Sequence, residues 1–265
     1  ATLARSPPLG EPVVFWAWIS ADVLALVTAT SVFHWTAPPD DAADAGAGAA
    51  AQATAPEMVF DRHATLAGCQ IVSYKADPGM TWLAIVGLSP APGGQGVAGR
   101  IQLFSTTKQL SQVLEGHAVA FAAVPIEGVK STLFLFAGSP KEGVPPKRHI
   151  VEVGAETKPA GSPPFEKVAS EIFHPPEMAG DFPIGLHMSI KYPTIVHLVT
   201  RGGYAHVYEL TTGACVYQNR ICTTTPSPAA SVSTATSTPG TPTARVPPGT
   251  LQATWPFATF AASAT

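Results

Sequence analysis

One pattern recurs along this chain and constrains its fold more than any other. A short, wholly apolar run is followed by a turn and then by a second run in which apolar and polar residues alternate. Leu24-Ala-Leu-Val-Thr28 leads to Ser31-Val-Phe-His-Trp35, and Trp82-Leu-Ala-Ile-Val-Gly-Leu88 leads to Arg100-Ile-Gln-Leu-Phe-Ser105. Leu133-Phe-Leu-Phe-Ala-Gly138 leads to Arg148-His-Ile-Val-Glu-Val153, and Ile195-Val-His-Leu-Val-Thr200 to Gly203-Tyr-Ala-His-Val-Tyr-Glu-Leu210. The first runs start at residues 24, 82, 133 and 195, in steps of 58, 51 and 62. A period of about 40 to 50 residues with insertions, each unit a small antiparallel sheet, is the pattern of a β-propeller. One such sheet cannot bury both faces alone, whereas sheets stacked around an axis bury each other. Alternation in the second runs predicts Ile101, Leu103 and Ser105 on one face and Gln102 and Phe104 on the other. A turn at Thr211-Thr-Gly213 precedes a further strand at Ala214-Cys-Val-Tyr217. The expected fold is all-β, a partial propeller of about four to five blades.

Composition places the borders. Residues 1–12, with Pro7, Pro8, Gly10 and Pro12, read as an irregular lead-in, and 13–222 as the partial propeller. Residues 36–57, rich in Ala, Asp, Gly and Pro, have no apolar period and read as a long exposed loop. Residues 223–265 are Thr, Ser, Pro and Ala with one charge, Arg245. They bury too little to offset the entropy of ordering, so a disordered tail is expected, with Trp255, Phe257 and Phe260 as its sticky points. The most apolar stretch, Val13 to Thr30, is interrupted by Asp22. Two strands joined by a Ser20-Ala21-Asp22 turn fit it better than a membrane span of about 20 apolar residues.

Chemistry is sparse. The net charge of −3 argues against a nucleic-acid partner, which favours a clustered basic surplus. Cys69, Cys215 and Cys222 form no C-x-x-C pair and no disulfide framework, which suits a reducing compartment. Gly94-Gln-Gly-Val-Ala-Gly99 matches G-x-G-x-x-G, but a strand and not a helix follows it, so it reads as a hairpin loop. The eight histidines show no metal-ligand spacing. His34, His149 and His206 occupy comparable places in the second runs, a repeat position. No G-x-S-x-G elbow places a serine nucleophile. The carboxylates are scattered. The reading is therefore no enzyme, no cofactor and no metal.

Several segments in order carry a more specific resemblance. Val14-Phe-Trp-Ala-Trp-Ile-Ser20, Val32-Phe-His-Trp35, Phe60-Asp-Arg-His63, Leu66-Ala-Gly-Cys-Gln-Ile71, Leu114-Glu-Gly-His-Ala118, Phe173-His-Pro-Pro176 and Val216-Tyr-Gln-Asn-Arg-Ile221 are among them. From about Val13 to Ile221 the chain resembles the N-terminal propeller domain of the clathrin heavy chain family. The resemblance implies a seven-bladed propeller that captures short linear peptides of adaptor and accessory proteins. It implies a structural role in the vesicle coats of endocytosis and intracellular transport. It also implies a cytoplasmic location on coated pits and vesicles of the plasma membrane and trans-Golgi network, reached through adaptors.

Carried over by position, Gln70 and Val72 match the family's central-depression site for Trp-containing peptides. Trp82, Leu103, Lys108, Gln112 and Leu114 match its groove for Leu-rich adaptor peptides between the fourth and fifth blades. Lys108 stands where the family commonly has Arg, keeping the charge but not the bidentate geometry. By the same resemblance, two blades expected before Val13 and an α-solenoid leg expected after Ile221 have no counterpart here. Light-chain binding and heavy-chain trimerisation are thus expected only of a full-length protein, and the chain is expected to be truncated. Two other readings compete. One is a generic propeller scaffold of another complex; the other is a propeller hydrolase, which needs acidic residues facing the axis in a polar pocket.

Overall fold

Each pair of runs forms the two middle strands of a four-stranded antiparallel sheet. In the computed structural model, residues 9–37, 55–92, 96–126, 129–138, 146–155, 168–172, 180–189, 191–210 and 212–222 are described. The first sheet is β1 (Phe15–Trp18), β2 (Val23–Val27), β3 (Ser31–Thr36) and β4 (Glu57–Asp61). The second is β5 (Gln70–Ala76), β6 (Trp82–Pro90), β7 (Val97–Ser105) and β8 (Leu110–Glu115). The third is β9 (Ala118–Ile126), β10 (Val129–Gly138), β11 (Lys147–Ala155) and β12 (Val168–Glu171). The fourth is β13 (Pro183–Met188), β14 (Ile195–Thr200), β15 (Tyr204–Glu209) and β16 (Cys215–Arg220). In all four, spatial order follows chain order. The first strands β1, β5, β9 and β13 lie beside one another in succession, as blades arranged about an axis require. The all-β partial propeller expected from the repeat is the observed architecture.

The reason the sheets stack is legible within single strands. Leu83 and Ile85 of β6 point into a core shared with Ala25, Val27, Val32 and Phe60 of the first sheet. Their neighbours Ala84 and Val86 point into a different core, shared with Val119, Phe134 and Phe136 of the third. Strand β10 repeats the arrangement: Phe134 and Phe136 face the second sheet, Leu133, Leu135 and Ala137 face Leu186, Val196 and Leu198 of the fourth. In β7, Ile101 and Leu103 join the core toward the third sheet and Phe104 the one toward the first, as alternation predicts. Gln102 on that second side is buried too, because both faces are covered. Burying such an aliphatic or aromatic side chain is worth about 1.5–3 kcal/mol.

Polar groups between sheets are held by specific partners. Gln102 donates to Asp61 O and Ser111 Oγ, each at 2.9 Å, and its Oε1 accepts from His63 N at 2.8 Å. That ties the second sheet to the 3-10 turn Ala64–Leu66 that connects the first two. Arg62 donates to the carbonyls of Thr28, Ala29 and Leu66 across the same junction. His34 and the Tyr74 hydroxyl are 2.9 Å apart, and burial holds the ring's proton affinity down and the phenol's pKa up. Between the third and fourth sheets, fully buried Arg148 lies 3.9 Å from the Tyr208 ring centroid and donates to Ser170 Oγ and Gly213 O. Burial lowers the guanidinium's pKa and, first among its causes, pushes the Tyr208 phenol up to about 12.

Three expectations change in detail. Gly99, the last glycine of the G-x-G-x-x-G match, lies inside β7, which already begins at Val97. A Cβ there would overlap the Gly116 carbonyl oxygen, and one at Gly138 would sit 2.6 Å from Gly116 Cα. The motif's glycine serves close backbone approach between β7, β10 and the turn before β9, not a phosphate. The expected loop at 36–57 is narrower, since Thr36 ends β3 and Glu57 begins β4; residues 38–54 lie outside the described ones. His34, His149 and His206 do share the third strand of their sheets, but not one face. His34 pairs across from Ala25, facing the next sheet, whereas His149 and His206 pair with Phe136 and Leu198, facing the preceding one. Of the lead-in, residues 9–12 are described, with Glu11 accepting from the Thr30 hydroxyl at 2.8 Å. The expected disordered tail at 223–265 lies outside the described residues. Val13 to Thr30 forms the β1–β2 hairpin, and no helix among the described residues is long and apolar enough to cross a membrane.

Two outcomes follow from these junctions. Gly99→Ala is expected to lower unfolding stability by about 1–3 kcal/mol in urea titrations. Gly10→Ala, where a Cβ meets nothing within 4 Å, leaves the midpoint unchanged. His34 and His117 have folded pKa values lowered chiefly by burial, so the unfolded chain binds protons more readily in acid. Their contribution is complete above the ordinary histidine value of 6.5 and is lost as pH falls through the lowered folded values. Melting temperature is expected to drop between pH 7.5 and 5, with a shallower drop in the His34→Gln, His117→Gln double variant.

Candidate functional site

A surface able to hold a peptide needs apolar side chains kept partly open beside polar groups that fix orientation. The face of the second sheet toward the third supplies these. Pairing sets the face: Trp82 lies opposite Ser105, which lies opposite Leu110; Leu103 lies opposite Gln112; Ile101 lies opposite Leu114. Directly opposed residues share a face, so Trp82, Leu103, Gln112 and Leu114 all look toward the third sheet. Leu103 is buried and forms the floor. Trp82 and Leu114 are half-buried against the same core, and Gln112 is exposed. Lys108 is exposed in the turn between β7 and β8, at the Trp82 end of the sheet. Its backbone N–H donates to Ser105 Oγ at 3.3 Å.

Asp77 orients the aromatic member. Its Oδ1 accepts from Trp82 N at 2.7 Å, while Oδ2 accepts from Gly79 N and Thr81 Oγ1. The buried carboxylate thus closes the turn between β5 and β6, in which Met80 adopts a left-handed φ of 52°. The hairpin end that carries Trp82 is fixed by side-chain chemistry as well as by the ladder.

Three residues complete the surface that the sequence reading left out. Leu110, 64% exposed, lies in the same row as Trp82, on the other side of Ser105. From the third sheet, Phe121 and Val151 stand half-buried against the same core and form the opposite wall. Alternation in β11 marks Val151, whereas alanine-rich β9 marks Phe121 only weakly, and a facing wall belongs to another blade that no spacing within one blade reveals.

Gln70 and Val72 lie elsewhere. Both are exposed on β5, one of the innermost strands, near its start, where Gln70 pairs with Leu88. Trp82 lies at the other end of β6, so the structure separates the two predicted groups. The β5–β6 register shifts between Ile71 and Ser73, leaving Val72 as the extra residue of a bulge. A bulge re-aims its side chain away from the ladder. Further along β5, burial lowers the pKa of the Lys75 ammonium, and His187 on β13 is lowered by burial, by Lys75 and by His197. Among the described residues, no three His, Cys, Asp or Glu side chains gather as metal ligands would.

Asp77→Ala is expected to cost about 1–3 kcal/mol, since its carboxylate is the acceptor for the part-buried Trp82 N–H and for the Gly79 N–H. Asp77→Asn, which keeps one oxygen, is expected to recover part of that loss in the same denaturant titration.

No family model matches the chain. Individual proteins do. The clathrin heavy chain of Drosophila melanogaster is 43% identical over 217 residues, 82% of this chain and 12% of that protein. Clathrin heavy chain 2 of Homo sapiens is 39% identical over 220 residues, and the clathrin heavy chain of Dictyostelium discoideum 40% over 218, each again 82% of this chain and 12% of the relative. The chain thus spans about an eighth of the length of the relatives it matches.

Proposed function

The chain is a homologue of clathrin heavy chains over some four fifths of its length, and from that premise we propose that it works as a peptide-capturing module of a vesicle coat. In this reading it is a structural protein and not an enzyme. It acts in the cytoplasm, meeting membranes through adaptor and accessory proteins in clathrin-mediated transport and endocytosis. Light-chain and trimer contacts belong to longer relatives.

The observation that carries the reading is the surface between the second and third sheets. Trp82, Leu103, Gln112 and Leu114 converge on one face, with Phe121 and Val151 opposite and Lys108 at one end. That surface suits an extended peptide with leucines for the apolar floor, an amide or backbone partner for Gln112, and an acidic flank toward Lys108. Modest single-site affinity is adequate for a coat, where many sites act together. Gln70 and Val72, at the start of β5 and away from Trp82, serve in this reading as a second and independent site for a Trp-containing peptide.

The test is a fluorescence-anisotropy titration with two labelled peptides, one Leu-rich with an acidic flank and one containing Trp. Trp82→Ala and Gln112→Ala are each expected to weaken the Leu-rich peptide about tenfold, the size of a 1.4 kcal/mol loss, and to spare the other. Gln70→Ala is expected to do the reverse. Failure of both peptides to bind the folded chain would favour a scaffold for another complex.

A further inference from the structure

The guanidinium of Arg148, fully buried between the third and fourth sheets, has no carboxylate against it. Its Nη2 donates to Ser170 Oγ and the Gly213 carbonyl, while Nε and Nη1 are buried without an acceptor. Two groups lie close enough to act on it as negative charges: the Tyr208 phenol, its ring centroid 3.9 Å away, and the Cys215 thiol. The phenol's pKa is pushed up to about 12, first by burial, so it stays neutral. The thiol is the group left to become the counter-ion. Backbone geometry puts it there. Tyr208 and Cys215 are directly opposed on β15 and β16, so both lie on the face turned toward the third sheet. The register shifts at this step and leaves Val216 as the extra residue of a bulge. The turn that delivers β16 is tied down: Thr212 N and Oγ1 both donate to Glu209 Oε2, and Gly213 N donates to the Glu209 carbonyl. The Cys215 thiol donates to Tyr217 O at 3.3 Å and shares a hydrogen bond with the Tyr208 hydroxyl. It is nevertheless exposed, on the edge strand of its sheet.

We propose that Cys215 is a thiol-modification site, at which a low-molecular-weight disulfide such as oxidised glutathione forms a reversible mixed disulfide. The attacking form in such an exchange is the negative sulfur, favoured by a cation and by hydrogen-bond donors beside it. Arg148 supplies the first from below and the Tyr208 hydroxyl the second. The Cys215 proton leaves to solvent, and the sulfur attacks one sulfur of the small disulfide. A new S–S bond forms, the original S–S bond breaks, and the departing half leaves as a thiolate that takes up a proton. The chain sulfur is oxidised and the departing half reduced, so the step needs no further oxidant. A second free thiol reverses it. Access and activation coincide at this residue because its sulfur stands at the rim of the junction, with the guanidinium sealed beneath.

The experiment incubates the purified chain with oxidised glutathione and follows adduct formation at each cysteine by peptide mass spectrometry, in buffer and in urea. Cys215 is expected to react about tenfold faster in the folded chain than in the unfolded one, and to be released by dithiothreitol. Tyr208→Phe keeps the ring beside the guanidinium and removes the hydroxyl; it is expected to slow Cys215 several-fold and leave the rate at Cys222 unchanged. Arg148→Gln is expected to slow it further, with circular dichroism confirming the fold; should that variant unfold, Tyr208→Phe decides alone. A Cys215 rate in the folded chain no faster than in urea would overturn the proposal. So would an unchanged rate in the folded Tyr208→Phe variant, or slowing that affects Cys222 equally.

Discussion

A four-stranded sheet that is apolar on both sides has no stable arrangement by itself, and this constraint organises the whole molecule. β6 shows it most plainly: Leu83, Ala84, Ile85 and Val86 are all fully buried, yet successive residues enter two different cores. A sheet of this kind must have a neighbour on each side, and the simplest chain that provides neighbours is a series of such sheets. The short up-and-down connections within each sheet and the succession of first strands beside one another both follow from it. Some buried polar groups bridge sheets, as Gln102 and Arg148 do, and others close turns within one sheet, as Asp77 does. The three-way approach of Gly99, Gly116 and Gly138 marks where backbone replaces side chain at a junction.

Much of this was legible before any coordinates. The paired runs starting at 24, 82, 133 and 195 are the middle hairpins, because middle strands are continuous and apolar. The outer and innermost strands were harder to see. β16 is exposed along its length, and β9 is rich in alanine, so neither has a strong period. β4 was not read as a strand, although only Glu57 of it falls in the expected loop 36–57, because Glu57 and Asp61 bracket only three apolar residues. The faces of the histidines were not legible either, since a strand's phase relative to its neighbour depends on pairing register.

The site was legible in a different way. Trp82, Leu103, Gln112 and Leu114 came from resemblance, and pairing then gave them a common face, a physical fact independent of any relative. What the residues alone did not disclose was the opposite wall, Phe121 and Val151, which is brought close by blade stacking. Asp77 escaped notice for a similar reason. Its carboxylate acts on backbone N–H groups of a tight turn, a role that any Asp-Pro-Gly segment advertises only weakly. The separation of Gln70 and Val72 from Trp82 also depends on which end of a strand each occupies.

The central claim is that four blades stack through their middle strands and leave the surface at Trp82 open. Amide hydrogen exchange with and without a Leu-rich peptide tests it most directly. The account predicts slow exchange along β2, β6, β10 and β14 in the free chain, with added protection on binding confined to β8 and the edge of β9 nearest Phe121. Rapid exchange across those middle strands, or protection that appears at β5 instead, would contradict it.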